Sequence, residues 1–390
     1  MNKRTVSFLF PVFLIVYEFC TNMSNDMYLP ALPLIANEFK LSLNQIQLTI
    51  TAWLAGSMSV QLLVGPWSDR YGRKTILLGG GLLFLLSALG CAMASTLGWL
   101  MIARFVQGIG VCSMMVAGYA SVHDVYEDRK AIHILVWMGS AAVIAPAIGP
   151  VLGGLLLLFT SWRGIFLTLF LISILALIGL WRYMPESASC ERLNLKQIRL
   201  AYVRIVSNSA FILSALSFGL AYGGVIGWIT VSPFLLMEHL QLTPTQFGLM
   251  QIPVFGGYIL GAQLVKVLLD KMHMQRLIAW GLGFSACFGG LLAALSYFFP
   301  QYVFSFVLPM VGYTLGFGFA AAPLNRITMT STSEQKGAAM AIFYLAMAVT
   351  GTLISLISSI IIESVVSSCI IIGVSVVCSF ALNALRRRLV

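Results

Sequence analysis

Residues Gly65-Pro66-Trp67-Ser68-Asp69-Arg70-Tyr71-Gly72-Arg73-Lys74 decide how the rest of the chain is read. Asp69, Arg70, Arg73 and Lys74 place four charges within six residues, and Gly65, Pro66 and Gly72 punctuate the backbone around them. On either side lies an apolar run, 45–66 and 76–95. Each has about the 20 residues a helix needs to cross a bilayer. A short charged turn between two such runs is the link of a helical hairpin in lipid, where every backbone polar group has to be satisfied inside the segment.

Working outward, the same alternation repeats to both ends of the chain. Apolar stretches predict spans at 8–30, 45–66, 76–95, 98–121, 132–159 and 164–183, then at 209–237, 245–269, 277–298, 301–327, 337–361 and 366–385. Composition agrees. The 390 residues are 59% hydrophobic and only 9% charged, with a mean hydropathy of +0.94. A soluble domain is about 25% charged, so this chain lacks the polar residues to coat a globule. The polar stretch Pro185 to Ser207 separates six spans from six, which predicts domains over 1–184 and 208–390 joined by a 185–207 linker. The expected fold class is an all-α membrane protein of twelve transmembrane helices, in two pseudo-symmetric six-helix bundles around a central cavity.

Orientation follows from the bases. With the N-terminus inside, nineteen of the 23 lysines and arginines fall on cytoplasmic segments or their edges, and only Lys40 and Arg163 fall outside. Arg104 and Arg326 lie within spans. Basic residues resist translocation, so both termini are expected in the cytoplasm and the number of spans is even. The net charge of +10 is thus topological. Beyond Arg386-Arg387-Arg388 there is no basic cluster of the kind nucleic acid requires. Met1-Asn2-Lys3-Arg4 before an apolar run has the outline of a secretory leader. That run carries Glu18 and Asp26 and lacks an A-x-A-like site, so it reads as a retained first helix. The seven cysteines form no CxxC pair and lie mostly in apolar stretches, as small packing residues.

The halves look weakly repeated. Asp69-Arg70-Tyr71-Gly72-Arg73-Lys74 follows span 2, and Asp270-Lys271-Met272-His273-Met274-Gln275-Arg276 follows span 8. An acid followed by bases at the same place in each half suggests a duplicated unit. Small residues recur at helix-packing spacing at Gly149/Gly153, Gly219/Gly223/Gly227, Gly257/Gly261 and Gly312/Gly316. In lipid, glycine lets backbones close on one another.

Of thirteen acidic residues, Glu18 and Asp26 alone sit clearly inside an expected span. An ionisable group in hydrocarbon costs several kcal/mol and by default marks a pathway or a proton relay. On a helix the two stand about 80° apart around the axis and ~12 Å apart along it. Asn22 and Asn25 share their sector, which makes a polar stripe that lipid cannot face. The plainer reading of each acid is a helix–helix hydrogen bond, or for Asp26 a place near the outer end. Arg104 is the basic counterpart, either tuning these carboxyls or satisfying groups across the bundle. The aromatic and methionine side chains Tyr17, Trp53, Met58, Tyr119, Trp228, Phe234, Met237 and Phe255 suit a greasy, adaptable pocket around them.

The Gly65–Lys74 stretch resembles the signature loop between helices 2 and 3 of the major facilitator superfamily. Arg104-Phe105-Val106-Gln107-Gly108-Ile109-Gly110 resembles the helix-4 motif, and Ala145-Pro146-Ala147-Ile148-Gly149-Pro150-Val151-Leu152-Gly153-Gly154 the helix-5 antiporter motif of exporters. Asp26-Met27-Tyr28-Leu29-Pro30-Ala31-Leu32-Pro33 is similar to the helix-1 end of its Bcr/CflA drug-resistance group, within the twelve-helix drug:proton antiporters. The resemblance spans nearly the whole chain and is strongest in its first half. It implies that Glu18 and Asp26 respond to proton and substrate and that Arg104 couples to them. It also implies that Asn25, Gln107 and Tyr119 line the pocket, with Gln251 from the similar stretch Gln251-Ile252-Pro253-Val254-Phe255-Gly256, while Asp69 and Arg73, with Arg70 beside them, latch a cytoplasmic gate. Pro146, Gly149, Pro150 and Gly153 would give helix 5 its bend and close packing. Trp53 departs from the group, as does the nearly acid-free second half.

The function expected is proton-coupled antiport of small lipophilic compounds, cationic or neutral, out across a bacterial inner membrane by alternating access. A dedicated exporter of one metabolite, such as a siderophore or an amino-acid derivative, is the nearest alternative. A non-transporting receptor or assembly partner is a more distant one, since it would gain nothing from buried carboxyls. No enzyme is expected: the four histidines lie near loops and no convergent nucleophile–base or metal set appears. No cofactor is expected beyond the proton as coupling ion. The expected partners are a small-molecule substrate, protons and the lipid bilayer, with no nucleic acid, for a monomeric chain.

Overall fold

Charged turns and prolines set the helix ends where the sequence places them. A computed structural model describes residues 8–186, 195–268, 271–334, 336–361 and 365–389. The N-terminal 1–7, linker residues 187–194, Asp270 and Val390 lie outside the described residues. The helices are α1 (Leu9–Asp26), α2 (Leu32–Phe39), α3 (Leu43–Tyr71), α4 (Arg73–Ala92), α5 (Leu97–Ser113), α6 (Tyr119–Val125), α7 (Asp128–Leu156) and α8 (Trp162–Tyr183). They continue with α9 (Leu195–Ser207), α10 (Ser209–Pro233), α11 (Pro244–Leu268), α12 (Met274–Phe298), α13 (Phe304–Thr330), α14 (Lys336–Ile361) and α15 (Val365–Leu389). No strand occurs among the described residues.

Every expected span falls on one of these helices. Ten helices among the described residues are long and apolar enough to cross a membrane, and His133–Gly139 with Ile144–Leu156 makes an eleventh in two parts around a bend. Pro146 and Pro150 lie inside that α7 segment; proline removes a helical donor and crowds the preceding turn, so bends gather there. The remaining expected span is α1, whose C-terminal half is too polar to read as plain membrane helix. Wide π-helical turns at Met114–Gly118 and Phe234–His239 carry α5 into α6 and extend α10.

The end signals are local. Thr96 caps α5 by accepting from the Trp99 N–H at 3.3 Å, and Asn208 caps α10 by accepting from the Phe211 N–H at 3.1 Å. Gly72, at φ +99°, makes the abrupt turn between α3 and α4, and a side chain there would meet the Glu186 carboxylate at 2.5 Å.

Contacts divide the chain into a first unit, residues 1–41 with 52–194, and a second, residues 42–51 with 195–390. In the first unit α1 packs on α7 and α8, and α4 packs on α5 and α8. In the second, α10 packs on α13, α14 and α15, and α12 packs on α13 and α15. The start of α3 belongs with the second unit through Thr51, whose hydroxyl lies 2.9 Å from Ser355 Oγ. Side chains larger than hydrogen are excluded where helices touch: at Gly316 an added carbon would lie 2.6 Å from the Gly281 carbonyl oxygen, and at Gly257 2.6 Å from that of Val311.

Candidate functional site

The polar half of α1 turns into the first unit rather than toward lipid. Glu18, Asn25 and Asp26 are 3%, 7% and 5% exposed, while Arg104 on α5 is completely buried. Burying a guanidinium requires partners for its donors. One Arg104 amino group donates to the Ser24 carbonyl at 2.8 Å and to Gln107 Oε1 at 2.7 Å, and the other donates to Asn25 Oδ1 at 2.9 Å. The cation also stands over the Tyr28 ring, 4.6 Å from its centre, and 5.8 Å from that of Trp53.

Among the described residues no carboxylate oxygen reaches Arg104. The guanidinium instead grips the backbone and amide that flank Asp26, and Asn25 then faces the Asp26 carboxyl. Arg104 is therefore a fixed positive charge beside an acid, held by neutral acceptors, so the acid can change protonation without an ion pair breaking.

Glu18 stands two turns earlier on α1. Its Oε1 accepts from the Tyr119 hydroxyl at 2.7 Å, and its Oε2 is buried with no hydrogen-bond partner among the described residues. The π-helical turn Met114–Gly118 immediately precedes Tyr119. Such turns shift the register of the helix beyond them and recur at functional sites. Thr21 and Asn22 both donate to the Glu18 carbonyl, at 2.8 and 3.0 Å. The Asn22 amide is thus spent on its own helix rather than on another element.

The α7 glycines explain how the acids come so close to a neighbouring helix. A carbon added at Gly149 would overlap Asp26 Cβ and lie 3.2 Å from the Asp26 carbonyl carbon, and one at Gly153 would lie 2.9 Å from the Met27 carbonyl carbon. Gly149 and Gly153 are one helical turn apart, so a single face of α7 lies directly against the Asp26–Met27 backbone. Pro150 sits between them inside the same helix. On the opposite side, Gly108 brings α5 against α3, where an added carbon would lie 2.9 Å from the Ser57 nitrogen.

Of the other expected pocket residues, Trp53 joins this group, whereas Met58 and Gln251 do not. Tyr17 is fully buried with its ring edge-on to Phe84 at 5.9 Å. Trp53 flanks Arg104, whereas Met58 is half-buried more than a turn farther along α3. Gln251 belongs to the second unit, where its Oε1 accepts from Trp228 Nε1 at 2.9 Å.

In the charged turn, Arg73 bonds Asp69 at 2.5 Å, Asp124 at 2.9 Å and Ser68 Oγ at 2.5 Å. It ties the end of α3, the start of α4 and the end of α6 within the first unit. Arg70 lies over Tyr71, 5.1 Å from the ring centre. The sequence reading missed Asp124; its signal was an acid at the charged end of a span. It also missed Tyr28 as the ring beneath Arg104, although Tyr28 follows Asp26 by two residues.

Comparison with known proteins agrees with this architecture. Residues 14–356 match the Major Facilitator Superfamily model. The chain is 32% identical over 332 residues to the multidrug transporter MdfA of Yersinia pestis bv. Antiqua (strain Angola), covering 84% of this chain and 81% of that one. It is 33% identical over 333 residues to the MdfA of Edwardsiella piscicida, with the same coverage. Its fold is similar to that of a D-xylose-proton symporter, with TM-score 0.73, 17% identity and coverage of 97% and 96%. It is also similar to the inward-open xylose transporter XylE from E. coli, with TM-score 0.74, 16% identity and the same coverage. The protein is a multi-pass membrane transporter rather than an enzyme, and it belongs to the Major Facilitator Superfamily.

Proposed function

We propose that the chain is a proton-coupled antiporter that exports small lipophilic compounds, cationic and neutral, across a bacterial inner membrane with both termini in the cytoplasm. The observation that carries this reading is the set Glu18, Asp26 and Arg104, buried together in one unit with Arg104 held by neutral acceptors. Its charge takes three values. With both acids ionised the set is −1, with one proton it is neutral, and with two it is +1. A cationic substrate and a proton therefore compete for the same site, and occupation by one drives off the other. A permanently charged arginine cannot serve as the exchanging group, so the carboxyls carry the proton and Arg104 limits how negative the empty site becomes.

The similarity to multidrug transporters supports efflux of varied compounds. Asp26 is assigned the indispensable exchange, since it lies beside the fixed cation and against α7. Glu18, with one oxygen on Tyr119 and the other without a hydrogen-bond partner among the described residues, is assigned the tuning toward cationic substrates. Alternating access then carries the loaded site from one side to the other.

The test is proton release on adding a lipophilic cation to purified wild type, Glu18→Gln, Asp26→Asn and the double variant. Release is expected to fall in each single variant and to vanish in the double. Undiminished release from the double variant would overturn the assignment. A growth-inhibition panel in an efflux-deficient host, with the Asp26→Asn variant as control, reads the substrate range.

A further inference from the structure

The end of the second unit where α10 begins and α15 ends contains a charged pocket that the transport site does not use. It has a volume of about 120 Å³ and is lined by Ala210, Ser214, Gln275, Ser331, Arg386 and Arg387, with Ile327 as its apolar wall. Arg386 is 4% exposed. Among the described residues its one bond is long, Nη1 to Ser214 Oγ at 3.5 Å, and its Nε and Nη2 have no partner. Asn383, one turn earlier on α15, is 1% exposed, and its amide oxygen is also unbonded, so it does not satisfy the arginine.

A guanidinium withdrawn from water with most of its five donors unmet is among the costliest arrangements a fold can hold, unless an anion completes it. No acid does so among the described residues. Glu334, which lies shortly after α13, is engaged by Arg204 at 3.3 Å. Arg387 adds a second cation and anchors itself on the Gln275 carbonyl. Ala210 and Ser214 lie in the first turns of α10, a helix of 25 residues. The positive dipole end of α10 therefore lies at the same pocket, while its Phe211 N–H is already capped by Asn208. Ser214 and Ser331 spend their hydroxyl protons on the Ala210 and Thr328 carbonyls, each at 2.7 Å, so the donors left for a tetrahedral oxyanion are those of the two guanidinium groups, with the α10 dipole beside them.

We propose that this pocket binds a phosphate oxyanion, carried by an acidic phospholipid headgroup or free in solution. The pocket lies at the ends of α10 and α15, two helices long and apolar enough to cross a membrane, so a lipid phosphodiester bound there would lay its tails alongside them. The site stands independently of what the first unit transports.

The experiment uses the full-length protein in nanodiscs of phosphatidylcholine, with and without phosphatidylglycerol, and separately with inorganic phosphate added to the phosphatidylcholine discs. Retained phosphatidylglycerol is read by native mass spectrometry and stability by the thermal midpoint. Wild type is expected to retain phosphatidylglycerol over phosphatidylcholine, or to gain midpoint with phosphate. The first result assigns the lipid source and the second the free ion. Arg386→Gln is expected to weaken retention by at least about tenfold, the loss expected from a charge-assisted contact. Arg388→Gln, an exposed neighbour outside the pocket lining, is expected to leave it unchanged.

Because Arg386→Gln could impair folding, Ala210→Asp provides a second arm. Aspartate is favourable in the first turn of a helix and puts the protein's own carboxylate into the pocket, so anion dependence should disappear while the midpoint holds. The proposal is overturned if wild type shows neither preference nor phosphate response. It is equally overturned if both pocket variants retain the anion as wild type does.

Discussion

Replacing Gly149 by alanine tests whether close approach of α7 to Asp26 matters for transport. The added methyl would stand less than 3.0 Å from Asp26 Cβ, with the Asp26 carbonyl carbon at 3.2 Å and Met23 Sδ at 3.3 Å. Unstrained carbons rest about 3.5–4.0 Å apart, so α1 and α7 must separate by at least roughly 0.5–1 Å. Asp26 Cβ is bonded directly to the backbone, and no rotamer change can relieve the clash. Overpacking of this kind costs about 1–3 kcal/mol. Misplacing a reacting group by about 1 Å can cost on the order of a hundredfold in rate. Gly139→Ala on the same helix is the control, because nothing lies within 4 Å of a carbon added there. The assay is proton-driven efflux of a lipophilic cation from proteoliposomes, with thermal midpoints measured in parallel. The expected result is loss of most transport at Gly149→Ala with a lowered midpoint, and near wild-type behaviour at Gly139→Ala. Equal behaviour of the two variants would refute the argument that the α7 glycine positions Asp26.

Three further outcomes rest on the same geometry. Arg104→Lys keeps the charge but lacks the planar fork that reaches Ser24, Gln107 and Asn25 together; a thermal melt should show a loss of about 2–3 kcal/mol from the unmet acceptors. Tyr119→Phe leaves both Glu18 oxygens without the 2.7 Å donor, so binding of cationic substrate should weaken by about tenfold while neutral substrates bind as before in a direct titration. Outside the membrane, Glu38 accepts from Trp162 Nε1 at 2.6 Å and pairs with Arg163 at 2.7 Å, and these contacts, the indole donor foremost, hold its carboxyl below the usual carboxylate range. A depressed value means the ionised form stabilises the fold above the ordinary glutamate pKa of about 4.3, and that the contribution is lost as pH falls through the lowered one. Since the pair is well exposed, Glu38→Gln should cost no more than about 1 kcal/mol at neutral pH, and its midpoint should converge with wild type in acid.

Much of this protein is legible in its sequence for one physical reason. Lipid admits only segments that satisfy their own backbone, so span length and charged turns at Asp69–Lys74 and elsewhere determine where the long apolar helices run with little help from tertiary contacts. The cost of an ionisable group in hydrocarbon likewise singles out Glu18, Asp26 and Arg104 before any fold is known. What those residues touch is different in kind. That Arg104 holds Ser24, Asn25 and Gln107 rather than a carboxylate, and that Tyr119 donates to Glu18 across 101 residues, depends on helix rotation and crossing distance. Period and hydropathy are silent about both. The same holds for Gly149 against Asp26, where the spacing announces a packing face but not its partner, and for Arg386, which in sequence is one of three tail arginines. Only tertiary packing, by closing α10 and α15 over it, removes that one guanidinium from water and leaves its neighbour Arg388 exposed.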